Sequence, residues 1–447
     1  MKLLKNMTLA TTLFGLILVS SLPAVGEQND VLSLRERAQL RDTIVNDRLT
    51  TMLPALMRRQ GIDMWILIAR EYNEDPVLKT MLPSAWESAR RRTMLVIFDD
   101  EVRNRTEYLA VARYNVGEVF EKAWDPEEQP DQYEALAGLI KQRNPEKIGI
   151  NQSLHFGLAD GLTHTEYTLL TAALDTSLRS RLVSAEYLSV AWLETRTPKE
   201  MEIYPTLVAK GHELIARAFS NEVVTPGTTT TKDIEWWLKE QSQALKMDNW
   251  FHPSVSLQRP NASKENDFSS KSASTVIRPG DLLHVDFGLT YLGLNSDQQQ
   301  HAYVLKPGET QAPASLRDAL ESGNRLQDIL MSHFKLGRTG NDILAMSRKQ
   351  AIEEGIVPTI YTHPIGTHGH AAGTTIGMWD SQSGVPVDGD YPMQKNTAYS
   401  IELNAAVPVP DWGGDIRIML EEQAFFDGER VQYMDGRQTH LHLIQSE

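Results

Sequence analysis

Cysteine is missing from all 447 residues. No disulfide staples the fold, and any metal site must be assembled from histidine and carboxylate side chains. An excess of positive charge is missing as well. Lysine and arginine number 44 against 59 aspartates and glutamates, a net charge of −15. That balance argues against nucleic acid and anionic membrane surfaces as partners. After the N-terminal stretch, no apolar run is long enough to cross a bilayer. There is no repeat of solenoid period, and no low-complexity tract apart from four threonines at 228–231.

What is present begins with a leader. The opening "MKLLKNMTLATTLFGLILVSSLPAVGEQND" sets Lys2 and Lys5 before an apolar stretch that ends near Leu22, followed by Ala24-Val25-Gly26. This predicts a secretory signal peptide over residues 1–26 and a secreted or periplasmic mature chain. The alternative is a retained membrane anchor. Thr11, Thr12 and Gly15 interrupt the apolar run and favour cleavage.

With 41% hydrophobic content, the remainder can build two or three domains with real cores. From 27 to 192, short apolar runs alternate with helical patterns. "MWILIA" (64–69), "TMLVIF" (93–98), "EYLAVA" (107–112) and "KIGIN" (147–151) read as strands, and "ADGLTHTEYTLLTAAL" (159–174) as a helix. This is an α/β domain. A second domain spans 193–447. It opens at Thr197-Pro198-Lys199-Glu200, with Thr at N-cap, Pro at the first helical position and Glu at the third. That helix runs toward Phe219, with a kink expected at Pro205. A Pro-Gly turn and a Thr/Asp-capped start introduce a second helix at "TTKDIEWWLKEQ". Strands and turns follow from Pro253, then a helical region from Ala314 to Glu354. Strands return at "TAYSIELNAAVPV" and "DIRIMLEEQAFFDGERVQYM". The fold class is α+β.

Polar residues stand where this second domain should be apolar. The strand-turn-strand "HVDFGLTYLGLNSD" (284–297) carries Asp286 and Asp297, one in each arm, although aspartate is disfavoured in strands. His363 lies in "YTHPIGTHGHAAG", Glu402 in "YSIELNAAV" and Glu421 in "RIMLEEQAFF". Singly, each has an ordinary reading: a turn aspartate, a solvent-facing strand glutamate, a satisfied core histidine. Together, four buried carboxylates cannot persist as bare anions. Two divalent cations would balance their charge, with a neutral imidazole as a further donor. Water held between the metals would be acidified to a hydroxide nucleophile.

The ordered set resembles the pita-bread metallopeptidases, the family of methionine aminopeptidase, aminopeptidase P and prolidase. It runs Asp, a second Asp eleven residues on, a His in an H-x-I-G context, Glu and Glu. The resemblance covers roughly residues 193–435, carried by "VDFG", "GLNSD" and "THPIG", while "SIELN" replaces the usual I-E-P-G. The preceding α/β domain is similar to a creatinase-type N-terminal domain, which points to the aminopeptidase P and prolidase branch. By position, the resemblance implies that Asp286 binds one metal, His363 and Glu402 the other, and that Asp297 and Glu421 bridge them. Glu402 is then the general base, and His370 matches a histidine that contacts substrate or intermediate. His368 has no counterpart. Glu422 competes with Glu421 for the last place. Gln423 and Ala424 supply the polar and apolar residues that the family has two and three positions after its ligand, which favours Glu421. There are departures. Phe268 and Ser269 stand where the family has a histidine, Thr359 where aminopeptidase P tends to have another, and Met419 where an arginine precedes the last ligand. Arg417 lies on the same strand face, two residues further back.

The resemblance implies a secreted dinuclear metallopeptidase that cleaves X-Pro bonds, of aminopeptidase P or prolidase type. Its substrate would be a peptide with proline second. Its cofactors would be two divalent ions, Mn²⁺ first, with Zn²⁺, Co²⁺ and Fe²⁺ also suited to the donors. Related enzymes often dimerise, and the resemblance allows a homodimer while leaving the oligomeric state open. Two other functions stay open: a metal-dependent hydrolase or lyase of this fold acting on a small non-peptide substrate, and a non-catalytic binding protein. Creatine hydrolysis in this family proceeds without metals, so the retained ligand set argues against it.

Overall fold

The computed structural model describes residues 31–260 and 274–446. The predicted signal peptide lies outside the described residues, as do Phe268 and Ser269.

The N-terminal half is built on a six-stranded mixed sheet. Its strands are β1 (Met64–Arg70), β2 (Arg92–Asp100), β3 (Arg105–Val111), β4 (Glu121–Lys122), β5 (Ile148–Ile150) and β6 (Leu182–Ser184), in the order β4-β3-β2-β1-β5-β6. The central strands β1 and β2 are buried along nearly their whole length, because helices cover both faces. Trp65, Leu67, Leu95 and Ile97 face one core, and Met64, Ile66, Met94 and Val96 face the other. The helix expected over 159–174 begins only at His164. Before it, Gly161 presses on Asp75, where a Cβ would lie 2.0 Å from the carboxylate, and Leu162 N–H bonds Asn151 O. After a single 3-10 turn at Gly157–Ala159, that close packing keeps the chain out of the α-helix until Thr163.

The capping box at Thr197 and Glu200 forms as the sequence indicates and opens a helix over Pro198–Ala218. Glu200 does more than cap. It is buried, and it also accepts from Arg48 and Arg196, each at 2.8 Å. The helix continues through Pro205, because tertiary packing of its apolar face outweighs one lost backbone bond. A second helix, Thr231–Ala244, starts with a Thr230–Asp233 capping box. The helical region expected from 314 to 354 is two helices, Ala314–Ser332 and Gly340–Glu353. Gly337, at φ +77°, takes the left-handed conformation in the turn between them.

The strands of the C-terminal half are β7 (Ser254–Gln258), β8 (Leu282–Phe287), β9 (Thr290–Tyr291), β10 (Leu294–Asn295), β11 (Gln298–Val304), β12 (Val357–Ile360), β13 (His363–Pro364), β14 (Thr397–Val409), β15 (Gly414–Phe426), β16 (Val431–Tyr433) and β17 (His442–Ile444). Strands β9 and β10 pair only with each other, as a small hairpin between β8 and β11. The main path is β12-β14-β15-β11-β8-β7, with β13, β16 and β17 paired alongside. One face of this sheet is covered by both helix pairs. Leu283, Val285 and Phe287 pack in one cluster with Tyr204, Leu207 and Ile234. Ile401, Leu403 and Leu420 pack in another with Leu316, Leu320 and Ile343. Alternation along each strand sends the remaining side chains to the opposite face, and these are mostly polar.

Candidate metal centre

That opposite face carries a single row of side chains. Ser254, Asp286, Gln299, Glu421 and Glu402 are successive cross-strand partners from β7 through β8, β11 and β15 to β14. Asp297 lies two residues before Gln299 and so projects to the same side. His363 enters from β13, opposite Ser400. The sheet therefore gathers Asp286, Asp297, His363, Glu402 and Glu421 from five strands or strand ends.

The distances are short enough for shared cations. His363 Nε2 lies 3.8 Å from Asp297 Oδ2, 3.8 Å from Glu402 Oε2 and 3.4 Å from Glu421 Oε1. Candidate ligand atoms fall within 4.8 Å of one another in three sets: Asp286, Asp297 and Glu421; His363, Glu402 and Glu421; and Asp297, His363 and His370. His363 Nδ1 lies 2.9 Å from Pro364 O and donates to it. Nε2 is then left as a lone pair facing the carboxylates.

Burial pushes the Asp286, Asp297 and Glu402 carboxyls well above the ordinary carboxylate range, and the neighbouring Glu421 charge adds to it. Glu421 behaves oppositely. Burial works against its charge, but the nearby His363 and the hydrogen bonds from Ser400 and Gln299 hold it lower. Among the described residues, Asp286 Oδ1, Asp297 Oδ1 and His363 Nε2 are buried without a hydrogen-bond partner. Orphaned buried acceptors of this kind are costly, and divalent cations would satisfy all three. The donor set, oxygen-rich with one imidazole, fits such ions.

The structure divides the paired glutamates. Glu421 is on the side of the cluster. Glu422 points to the opposite face, where it accepts from Gln300 Nε2 at 3.0 Å and from the Gln438 N–H at 3.1 Å, and lies 2.6 Å from His212 Nε2. His370 stands at the open edge, its ring 4.8 Å from His363 and 5.2 Å from Trp250. Burial and the neighbouring His363 lower its pKa. His368 is not in the cluster. Thr359 pairs with Asn404 on β12. Met419 is buried, and its N–H donates to His301 Nε2 at 2.9 Å. Arg417 is exposed further along the same strand.

Sequence reasoning missed Gln299. Its Nε2 donates to Glu402 Oε1 at 2.5 Å and to Glu421 Oε2 at 2.7 Å. One amide thus uses both of its protons to hold two carboxylates. Its carbonyl oxygen lies 2.9 Å from His284 Nε2, and His284 Nδ1 lies 3.3 Å from Ser256 Oγ. Ser400 Oγ donates to Glu421 Oε1 at 2.5 Å. The available signal was "SDQQQH" itself: an unbroken polar run where the strand should be buried, with Gln299 in phase with Asp297.

A sheet backed on one face by two helix pairs, with four carboxylates and a histidine clustered on the other, defines a pita-bread metallohydrolase domain behind an α/β N-terminal domain. Residues 206–421 match the profile of metallopeptidase family M24, so this domain is an M24 metallopeptidase domain. No curated protein matches the chain by sequence. Among solved structures, an X-Pro aminopeptidase from Thermotoga maritima superposes with a TM-score of 0.63 at 14% identity, covering 87% of this chain and 99% of that one. An Xaa-Pro dipeptidase from Bacillus anthracis gives 0.58 at 17% identity, covering 92% and 100%. A prolidase from Pyrococcus horikoshii gives 0.55 at 14%, covering 90% and 99%. At these identities the likeness establishes the two-domain fold.

Proposed function

We propose that the chain is a secreted peptidase that hydrolyses X-Pro bonds, using two divalent ions held by Asp286, Asp297, His363, Glu402 and Glu421. The observation that carries this reading is the cluster of four carboxylates, three of them pushed toward protonation by burial beside the unpartnered Nε2 of His363. Such a cluster is poorly explained without cations. Bound metals would acidify a water and polarise the scissile carbonyl. The protein's own groups would do the rest. Glu402, with Oε2 facing the cluster and Oε1 held by Gln299, is placed to take and return a proton. His370, at the open edge, is placed to bond the substrate carbonyl or the departing amine. Solved structures similar to this chain include enzymes named for X-Pro cleavage. Mn²⁺ suits the oxygen-rich set, and the reading allows a homodimer.

The test is a metal-reconstituted assay of the purified mature chain across X-Pro dipeptides, longer X-Pro peptides and non-proline controls. Elemental analysis should accompany it for wild type and Asp297→Ala. We expect two metals per wild-type chain, chelator-sensitive X-Pro cleavage, and loss of at least one metal with nearly all activity in the variant. A fully metallated wild type that cleaves no X-Pro peptide would reject the substrate and leave a small non-peptide compound as the next candidate. Full metal occupancy in Asp297→Ala would reject the ligand set.

A further inference from the structure

A cavity of about 590 Å³ lies at the seam between the two halves, lined by the first helix (Leu34–Asp47), the Tyr72–Thr80 segment, the β9–β10 turn and residues Thr367 and His368. The metal-centre reading makes no use of it. Its last two wall residues belong to the loop that joins His363 to His370, and that loop is firmly seated. Gly366 O accepts from Asn295 N–H at 2.8 Å and Nδ2 at 3.2 Å. Arg196 packs so closely beneath Gly366 that a Cβ there would lie 2.9 Å from its Cζ.

The polar groups that face this cavity are unusually free. Thr367 and His368 lie in its wall, with Thr367 Oγ1 and His368 Nδ1 covered from it and without a hydrogen-bond partner among the described residues. Arg41 is half-buried, yet it has no hydrogen-bond or ion-pair partner among the described residues, and neither does Lys79. Arg48, on the floor, is already engaged by Glu200 and by Thr195 O, each at 2.8 Å. The acid in the lining, Glu74, accepts the backbone N–H groups of Tyr72 and Ala89. In a chain of net charge −15, the cavity therefore offers two unspent cations, Arg41 and Lys79. Ile44, Val45, Leu158 and Leu292 supply apolar wall, and Asn73 and Thr80 add polar groups. Tyr72 stands at the rim, 84% exposed and held at φ +65°, a conformation that costs energy for a tyrosine. A concave, largely apolar site with a few convergent polar groups at a domain seam is the usual form of a small-ligand site. The chemistry that fits is a carboxylate attached to an apolar body.

We propose that this cavity is the subsite for the carboxylate-bearing C-terminal end of a peptide whose X-Pro bond lies at the metal centre; the assignment rests on the peptidase reading above. The reach is reasonable. Thr367 and His368 are two to three residues from His370, within about 11 Å along the chain at ~3.8 Å per Cα step, and a peptide spans ~3.3–3.6 Å per residue. In this assignment the terminal carboxylate sits two or three residues beyond the proline, against Arg41 and Lys79.

The experiment compares Ala-Pro with Ala-Pro extended by one to three residues ending in Leu, each longer peptide as free acid and as C-terminal amide. Wild type, Arg41→Ala and Arg41→Ala/Lys79→Ala are assayed with Mn²⁺. Wild type should favour the best-fitting free acid over its amide at least about tenfold in kcat/KM, chiefly through KM. Arg41→Ala should erase that preference while leaving Ala-Pro cleavage and Mn²⁺ binding unchanged. Equal treatment of acid and amide by wild type, or a preference that survives in both variants, overturns the proposal. Calorimetry of metal-free full-length chain with Ala-Leu and its amide separates this from failure of the peptidase reading. Arg41-dependent binding of the free acid alone keeps the carboxylate site even if no X-Pro bond is cut. If neither Arg41-dependent binding nor an Arg41-dependent acid preference is found, the site is rejected.

Discussion

Gln299 shows how much a single neutral side chain can organise among charges. Glu402 and Glu421 are direct cross-strand neighbours, and like charges in that position repel. The Gln299 amide lies against both, giving one N–H to each. His284 donates to its carbonyl, which fixes the amide so that its protons and not its oxygen face the acids. Burial holds the His284 pKa down at about 4, so this imidazole is neutral at neutral pH and can keep that arrangement. Groups that orient metal ligands typically contribute 10–100-fold in metal affinity. Gln299→Ala should therefore weaken Mn²⁺ binding to the metal-stripped chain by about that factor, read by calorimetric titration. An unchanged dissociation constant would show that the carboxylates organise without the amide.

At the scale of the element, β15 carries two adjacent glutamates into two different environments. Side chains alternate along a strand, so Glu421 reaches the cluster while Glu422 is buried on the helix-backed face with His212, Gln300 and Gln438. The two should separate cleanly on mutation. Glu421→Gln should lose metal and activity together. Glu422→Gln keeps an acceptor of similar shape, and should retain its metal and most of its activity while unfolding at a lower temperature. Metal analysis and a thermal melt on both variants check this. Loss of metal from Glu422→Gln alone would mean that the functional register of β15 is shifted by one residue.

For the whole molecule, the seam between the halves contains its own titratable group. Glu194 ends the helix Glu186–Glu194, is fully buried, and accepts from Tyr391 Oη at 2.8 Å across the seam. Tyr391 is further held by Tyr187, stacked at 5.8 Å, and by Phe156 edge-on at 5.8 Å. Burial raises the Glu194 carboxyl from 4.5 to about 8, although Tyr391, Arg59 and Arg196 pull the other way. The folded state thus binds this proton more tightly than the unfolded chain. The resulting stability is present in full below about 4.5 and is lost as pH rises through about 8. The melting temperature of the wild type should fall between pH 6 and 9, and Glu194→Gln should flatten that slope. Parallel pH profiles for the two proteins would exclude Glu194 as the cause.

Much of this protein was legible in its sequence because the relevant physics is local. Thr197-Pro198-Lys199-Glu200 started a helix where the capping rules put one, and the apolar runs at 64–69 and 93–98 became the central strands β1 and β2. "TAYSIELNAAVPV" became β14 over the same residues. The five clustered residues stood out for the same reason, as polar side chains in segments whose pattern is that of buried strands. The tertiary structure decided what depends on partners distant in sequence. Alternation alone says that Glu421 and Glu422 face opposite ways, but only the pairing of β15 with β14 and β11 says which way is which. Glu200 was legible as a cap, whereas its two arginine partners come from residue 48, on another helix, and from residue 196. Gln299 is one of three consecutive glutamines, and only cross-strand register sets it between Asp286 and Glu421. The seam cavity has no sequence signal at all, because its walls come from five segments that meet only once the two halves are packed together.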